Sequence, residues 1–390
     1  MQAATALRII DSLGGIAPAQ WDALAGEQPS LRHSFLHALH ETGAATPETG
    51  WTPCYPTLWR DGRLVGAMPL YLKAHSYGEY VFDWAWADAY RRHDLHYYPK
   101  LLCAVPFTPV PGARLLAHEA ADRARLLHAA LALMQAEPAV SSLHVLFPAS
   151  QDIATLADEG GMRRDGVQFH WHNQGYADFD DFLSRMPHDK RKKIRQDRVR
   201  ANREVEIVAL TGGEIGEADW RFFHRCYVET YRAHGSSPYL DLAFFQALGR
   251  SMPETCVLFV ARRAGRAVAA SFCLAGGGAL YGRYWGAVEF VPALHFELCY
   301  YQPIAYCIEQ GMMRFEGGAQ GEHKLSRGLD PVETRSWHWL KHPDFADAVD
   351  SFLRRERAGM LDYVDELRER RPFKAEGDGL SAFDKVNNIG

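Results

Sequence analysis

Residues 255–288 read TCVLFVARRAGRAVAASFCLAGGGALYGRYWGAV, and the punctuation of this stretch decides the fold. Three apolar runs, Thr255 to Arg262, Ala267 to Leu274 and Ala279 to Val288, are cut by Ala264-Gly265-Arg266 and by Gly276-Gly277-Gly278. Runs of this length, rich in Val, Phe, Tyr and Trp and parted by glycine turns, predict an antiparallel three-stranded meander.

The pattern has an earlier counterpart. Pro53 to Arg60 predicts a strand, Asp61-Gly62 a tight turn, and Arg63 to Leu72 the returning strand, with a third strand at about Glu79 to Trp84. A helix pair precedes each meander. Trp21 opens one in the first half and Trp220 one in the second, and Phe35 to Leu39 is echoed by Phe244 to Leu248. After each meander come a helix and a short strand, His118 to Gln135 with Ser142 to Phe147, then Leu294 to Gln310 with Met312 to Phe315. Repetition at about half the chain length implies a duplicated domain. The join falls near 175–190, dividing the chain into residues 1–177 and 178–390. The second half also carries a helix over Asp189 to Arg203 with eight Lys/Arg against two Asp, and a terminal helix over Asp344 to Arg370. That terminal helix has Phe345, Val349, Phe352, Met360, Val364 and Leu367 on one stripe.

Composition narrows the function. A length of 390 residues suggests two or three domains, and 47% hydrophobic with 23% charged residues is the balance of a globular protein. A net charge of −5 argues against a general nucleic-acid coat, while leaving room for a local basic patch. No apolar run reaches the roughly 18 residues of a membrane helix, and Met1 to Gly15 lacks the pattern of a signal peptide. The seven cysteines are scattered and never spaced CxxC, which fits reduced core residues and a cytoplasmic setting. His170-Trp171-His172 places two imidazoles on one side of a strand, but no carboxylate or cysteine pattern accompanies them, so no metal site is expected.

Helix pair, meander, helix and strand is the order of the N-acetyltransferase (GNAT) fold. The expected class is therefore α/β (α+β): two tandem GNAT-like domains, each a mixed, mainly antiparallel sheet flanked by helices. The runs Gly282 to Gly286, Leu294 to Pro303 and Phe315 to Gly328, with Gly78 to Trp84, Tyr97 to Lys100 and Pro106 to Pro109, resemble a Fem-like bacterial family labelled peptidoglycan biosynthesis or recognition. That resemblance spans nearly the whole chain. It implies transfer of an acyl or aminoacyl group to an amine on a small molecule or peptide. Ordinary acetyl-CoA enzymes place a glycine-rich phosphate loop after the fourth strand. Here the stretch Ala287 to His295 lacks that spacing. The donor is left as acyl-CoA or, as in Fem-type enzymes, aminoacyl-tRNA, and no tightly bound cofactor is expected. A binding module that recognises a cell-wall or peptide ligand without turnover is the alternative.

Acyl transfer needs a base for the amine and donors for the oxyanion. Glu297, Tyr300 and Tyr301 share a helix face, and Pro303 predicts a bend beside them. Glu297 is the expected base; the alternative is that it pairs with a neighbouring arginine such as Arg283 and only orders the fold. The resemblance places Lys324 as the charge stabiliser, expected to stay charged on a glycine-rich loop, and His323 is a further acid–base candidate. Arg327 is expected to hold Glu316 or Glu322. Arg283, Tyr284, Trp285, His295, Tyr300, Gln320 and Glu322 complete the second-half set. Asp83, Trp84, Tyr97 and Lys100 suggest an aromatic acceptor pocket in the first half.

Overall fold

The computed structural model describes residues 4–318 and 321–373. The first half runs β1 (Thr5–Ile10), α1 (Pro18–Ala25), α2 (His33–Glu41), β2 (Trp51–Pro53), β3 (Tyr55–Arg60), β4 (Arg63–Ala67), β5 (Leu70–Lys73), α3 (Trp84–Arg92), β6 (Lys100–Cys103), α4 (Ala120–Ala136), β7 (Ser142–Leu146), α5 (Ser150–Asp158) and β8 (Met162–His172). The second runs α6 (Phe179–Ser184), α7 (His188–Asn202), β9 (Glu206–Thr211), α8 (Glu217–Ala233), α9 (Leu242–Ser251), β10 (Cys256–Arg263), β11 (Arg266–Gly276), β12 (Ala279–Ala287), α10 (Leu294–Phe296), α11 (Gln302–Glu309), β13 (Arg314–Glu316), β14 (Asp330–Leu340) and α12 (Pro343–Glu369).

The meander of residues 255–288 forms as its punctuation dictates. β10 pairs β11 and β11 pairs β12, both antiparallel. Alternation along these strands sends Leu258, Val260 and Tyr281 to one face, and Val257, Phe259 and Leu280 to the other. The first face joins both halves in one core containing Trp21, Phe35, Trp51, Trp220, Phe245 and Phe272. The second packs Trp171, Phe182, Tyr301 and Phe315 beneath α6, α7 and α11.

The first half differs from its sequence reading at two places. The returning strand expected over Arg63 to Leu72 is cut at Pro69 into β4 and β5, which join different sheets, since proline cannot donate to a ladder. The expected third strand, Glu79 to Trp84, does not form. Gly78 and Tyr80 take positive φ values of 81° and 63°, which an extended chain cannot use, and Trp84 opens α3 instead. Glu79 and Asp83 turn inward to a buried lysine, and that pairing overrides the aromatic strand propensity. On α12, Val349, Val364 and Leu367 are buried as the stripe requires, but Leu353 takes the inward place expected of its neighbour Phe352.

Among the described residues, eleven strands form one sheet in the order β2-β5-β6-β7-β14-β8-β13-β12-β11-β10-β9, and β1-β3-β4 form a second. The middle of the large sheet is an exchange between halves. β14, from the second half, lies antiparallel between β7 and β8. β8, from the first half, lies between β14 and β13.

Candidate functional site

The site begins where two parallel strands part. β12 and β13 pair at Ala279↔Arg314, Leu280↔Phe315 and Tyr281↔Glu316, and the pairing stops there. β12 continues on β11 to Ala287, with a register slip between Phe272 and Cys273 that leaves Arg283 bulged. β13 turns away at Gly317-Gly318, where Gly318 has φ 86°. A Cβ at position 282 would meet the Glu316 carbonyl at 3.2 Å, a tight approach that favours glycine there. The result is a cavity of about 150 Å³ lined by Ser271, Trp285, His295, Tyr300, Gly317 and Gly318, among others.

The helix over this gap is bent as its proline predicts. Glu297–Tyr301 is a π-helical turn between α10 and α11, because Pro303 has no N–H to return to the carbonyl of Cys299. The widened turn carries Tyr300 to His323, whose Nε2 lies 2.9 Å from the Tyr300 hydroxyl. His295 stacks edge-on against Trp285 with ring centres 4.9 Å apart. Burial holds His295 down to about 4 and lowers His323 as well, so both imidazoles are neutral at pH 7.

Lys324 lies under the glycine turn. It is buried, and its Nζ donates to the Gly318 carbonyl at 2.7 Å. Desolvation pulls its amine down to about 8, so it does not have the fully solvated character expected of a loop lysine. Glu297 is fully buried, and its Oε1 accepts from Arg198 of α7 at 3.2 Å and from Gln302 of α11 at 2.8 Å. Arg283 is not its partner; it reaches across to the Phe107 carbonyl and to Thr108 of the first half, where Tyr284 joins it. Arg327 does not hold Glu316 or Glu322. Its guanidinium sits 3.5 Å from the ring centre of Phe296 and donates to the His323 carbonyl, because the tight 3-10 turn Glu322–Arg327 points it back at α10. Glu322 accepts from Tyr363 at 2.6 Å on α12. Gln320 lies outside the described residues.

The FemAB-like family profile, described as peptidoglycan biosynthesis/recognition, matches residues 12–375. The chain belongs to the FemAB-like family. A search of curated proteins gave no match. Among solved structures, the chain is similar to FemX, with a TM-score of 0.54 at 11% identity, covering 86% of this chain and 98% of FemX. It is also similar to the C-terminal domain of a putative lysylphosphatidylglycerol synthetase from Agrobacterium fabrum, with a TM-score of 0.46 at 10% identity over 65% of this chain and 82% of that one. A tandem GNAT protein from the clavulanic acid pathway matches with a TM-score of 0.44 at 12% identity, over 87% and 99%. The likeness to FemX fixes the tandem GNAT-like fold.

In this FemAB-like chain the first-half candidates gather, but as an ion cluster. Lys100 is fully buried and donates to Ser76 at 2.9 Å, to Glu79 at 2.7 Å and to Asp83. Burial works to raise the Asp83 carboxyl, but Lys100 more than offsets it and holds Asp83 below the usual carboxylate range. Burial wins at Glu79, pushed up to about 7. The Tyr97 hydroxyl donates to Asp83 at 2.7 Å and faces His144 at 3.1 Å. Trp84 stands apart from that cluster, 41% exposed against Tyr77, and with Tyr80, Phe82 and Tyr239 it lines an aromatic cavity of about 370 Å³.

Two further residues of the FemAB-like chain emerge from the geometry. Glu316 and His170 sit opposite each other on β13 and β8, both buried, at the edge of a cleft of about 760 Å³ between the halves. Their sequence signal was a polar residue at alternate positions of an apolar strand, Arg314/Glu316 and His170/His172. Nothing in the sequence says that the two strands adjoin. Among the described residues, no three His, Cys, Asp or Glu gather as a metal site.

Proposed function

We propose that the chain is an acyltransferase that moves an acyl or aminoacyl group from a CoA thioester or an aminoacyl-tRNA onto an amine. Membership of the FemAB-like family and the likeness of its fold to FemX support this reading. One observation carries it: a buried ammonium, Lys324, beside the point where β12 loses its strand neighbour. Among the described residues no strand adjoins β12 beyond Tyr281 on that side, so its backbone groups there can meet a donor carbonyl. A charge held in a water-poor site is worth more to a developing oxyanion than one in solvent. No tightly bound cofactor is needed. The cytoplasmic setting belongs to this reading, with seven free cysteines and, among the described residues, no helix long and apolar enough to cross a membrane.

Purified protein offered an acyl-CoA panel and then charged tRNA should release free thiol or deacylated tRNA only when an amine is present. In Lys324→Met, turnover should fall by roughly 100-fold. The melting temperature should hold or rise, since burying an ammonium that has, among the described residues, one carbonyl partner costs stability that a thioether does not. Full activity in Lys324→Met would remove the charge role. Saturable amine or peptide binding without any turnover would favour a binding module.

A further inference from the structure

The cleft between the halves and the small cavity at the parted strands meet along β12 and β13: Tyr281 and Glu316 line the cleft, and the residues that follow them, Gly282 and Gly317, line the cavity. Phe315 packs into the core beneath α7 and α11, on the face that carries the Lys324 turn. Glu316 and its cross-strand neighbour Tyr281 point the other way, into the cleft. The strands separate immediately after this pair. A group in the cleft beside Glu316 is therefore next to the only stretch, among the described residues, where β12 and β13 leave an opening.

The carboxyl group of Glu316 is half satisfied. Its Oε1 forms an ion pair with Arg314 Nε at 3.0 Å. Its Oε2 is buried and has no hydrogen-bond partner among the described residues. His170 comes nearest, with Nε2 at 3.9 Å, too far for a hydrogen bond. The tautomer of that histidine follows from its neighbours. Gln168 Nε2 donates to the Pro109 carbonyl at 2.8 Å, which turns Gln168 Oε1 toward His170 at 3.2 Å. His170 Nε2 must then carry the hydrogen. A buried, orphaned carboxylate oxygen costs about 1–3 kcal/mol or more unless something is bound to it. Its presence at the wall of a large cleft is the mark of a group awaiting a donor.

We propose that this cleft holds the acceptor, a primary amine on a small polar molecule, and that Glu316 Oε2 takes the amine's proton while Arg314, paired with Oε1, positions that carboxylate. This rests on the transferase reading above. The volume of about 760 Å³ suits a ligand of short-peptide size. Both halves build the wall, with Gln28 from the turn after α1, His170 and His172 from β8, and Arg335 from β14. In the reaction, the ammonium gives one proton to Glu316, and the amine lone pair forms the new C–N bond at the donor's acyl carbon. The oxyanion that results faces the Lys324 side of the gap. Its collapse breaks the C–S or C–O bond, the second proton of the former ammonium passes to the leaving sulfur or oxygen, and Glu316 returns its proton to water. The amide keeps one N–H.

The groups facing Glu316 are Arg314 on its own strand, His170 on β8, and Arg283 and Tyr281 on β12. Burial outweighs the two arginines and pushes its carboxyl up to about 7, while His170 is held down to about 3 by burial and the nearby cations and stays neutral. The base is therefore formed as pH rises through about 7, and amine transfer should rise with it.

The experiment measures kcat/KM against pH for acyl transfer to glycylglycine, L-lysine and spermidine in the full-length protein. Wild type should show an acidic limb near pH 7. Glu316→Gln should lower kcat by about 100-fold above that limb and abolish the limb itself. Glu316→Asp, which keeps a carboxylate, should restore a limb and part of the rate, and guards against a folding defect in the amide variant. Lys324→Met should lower the profile most below about pH 8, where the Lys324 amine is charged, without moving the acidic limb. Wild-type turnover matched by Glu316→Gln at every pH overturns the assignment of Glu316 alone. No wild-type turnover with any donor overturns the transferase reading and this inference with it.

Discussion

At the scale of single residues, buried charge decides more here than aromatic packing. Lys100 sits in the interior with no exposed surface and holds Glu79 and Asp83. Such a triad contributes little net stability when intact, because three groups have left water. Removing its centre is another matter. In Lys100→Met two carboxyls stay buried without their cation, and the expected loss is about 3–5 kcal/mol in a denaturant titration. A loss below ~1 kcal/mol would mean that the cluster is already neutral. The members were visible in the sequence as Asp83, Tyr97 and Lys100, but their relation was not. The stretch Glu79 to Trp84, with aromatic residues at 80, 82 and 84, suggested a strand. The positive φ at Gly78 and Tyr80, which folds Glu79 and Asp83 inward, has no signature in a pattern of apolar residues. Lys324 shows the same limit. Its place in the chain was legible, while its burial depends on a glycine turn folding over it.

At the scale of elements, the sequence was most legible where a local rule acts alone. The glycine turns at 264–266 and 276–278 place β10, β11 and β12 within a residue or two, and Pro303 marks the π-turn. α7 is a mixed case. Its charge run forms the helix expected, but Ile194 is buried while Val199 is 62% exposed, so only one of its two large apolar residues anchors it. Several of its cations are engaged, Lys193 with Asp197, Arg195 with Asp180 and Arg198 with Glu297. Arg191, Lys192, Arg200 and Arg203 line a surface cleft of about 640 Å³ beside Pro292. If the donor is aminoacyl-tRNA, these are the groups placed to meet its phosphates. Binding of charged tRNA should then weaken with salt at about one log–log slope unit per phosphate contact. The double change Lys192→Glu with Arg200→Glu should cut that slope by about two while leaving turnover of an acyl-CoA donor intact. A slope equal in wild type and variant would make α7 a solvated connector.

At the scale of the whole molecule, the duplication and the cutting points of the chain are different things. Residues 1–177 and 178–390 carry similar successions of elements, yet the sheet does not divide between them. β7, buried along its whole length, is covered on one edge by β14 of the other half. β8 meets β13 and β14, both from the second half, and carries Phe169 and Trp171 into the second half's core. Sequence periodicity reports the order of elements and is silent on which copy a terminal strand joins, because either partner satisfies the same alternation of side chains. The energetic consequence is direct. A first half made alone would leave one edge of β7 and both edges of β8 without strand partners, and would expose two large aromatic side chains, each worth roughly 1.5–3 kcal/mol or more when buried. For a domain whose net stability is about 5–15 kcal/mol, that is most of the margin. Residues 1–177 expressed alone are therefore expected to show no cooperative thermal transition. Expressed together with residues 178–390 on a second chain, they should associate and melt as one unit, since the exchanged strands need proximity and not a covalent link. The measurement is calorimetry of each half and of the mixture. A first half that melts cooperatively by itself would mean that β8 can fold back onto β7, in the place β14 now holds, and that the exchange is a choice of the joined chain rather than a requirement of the fold.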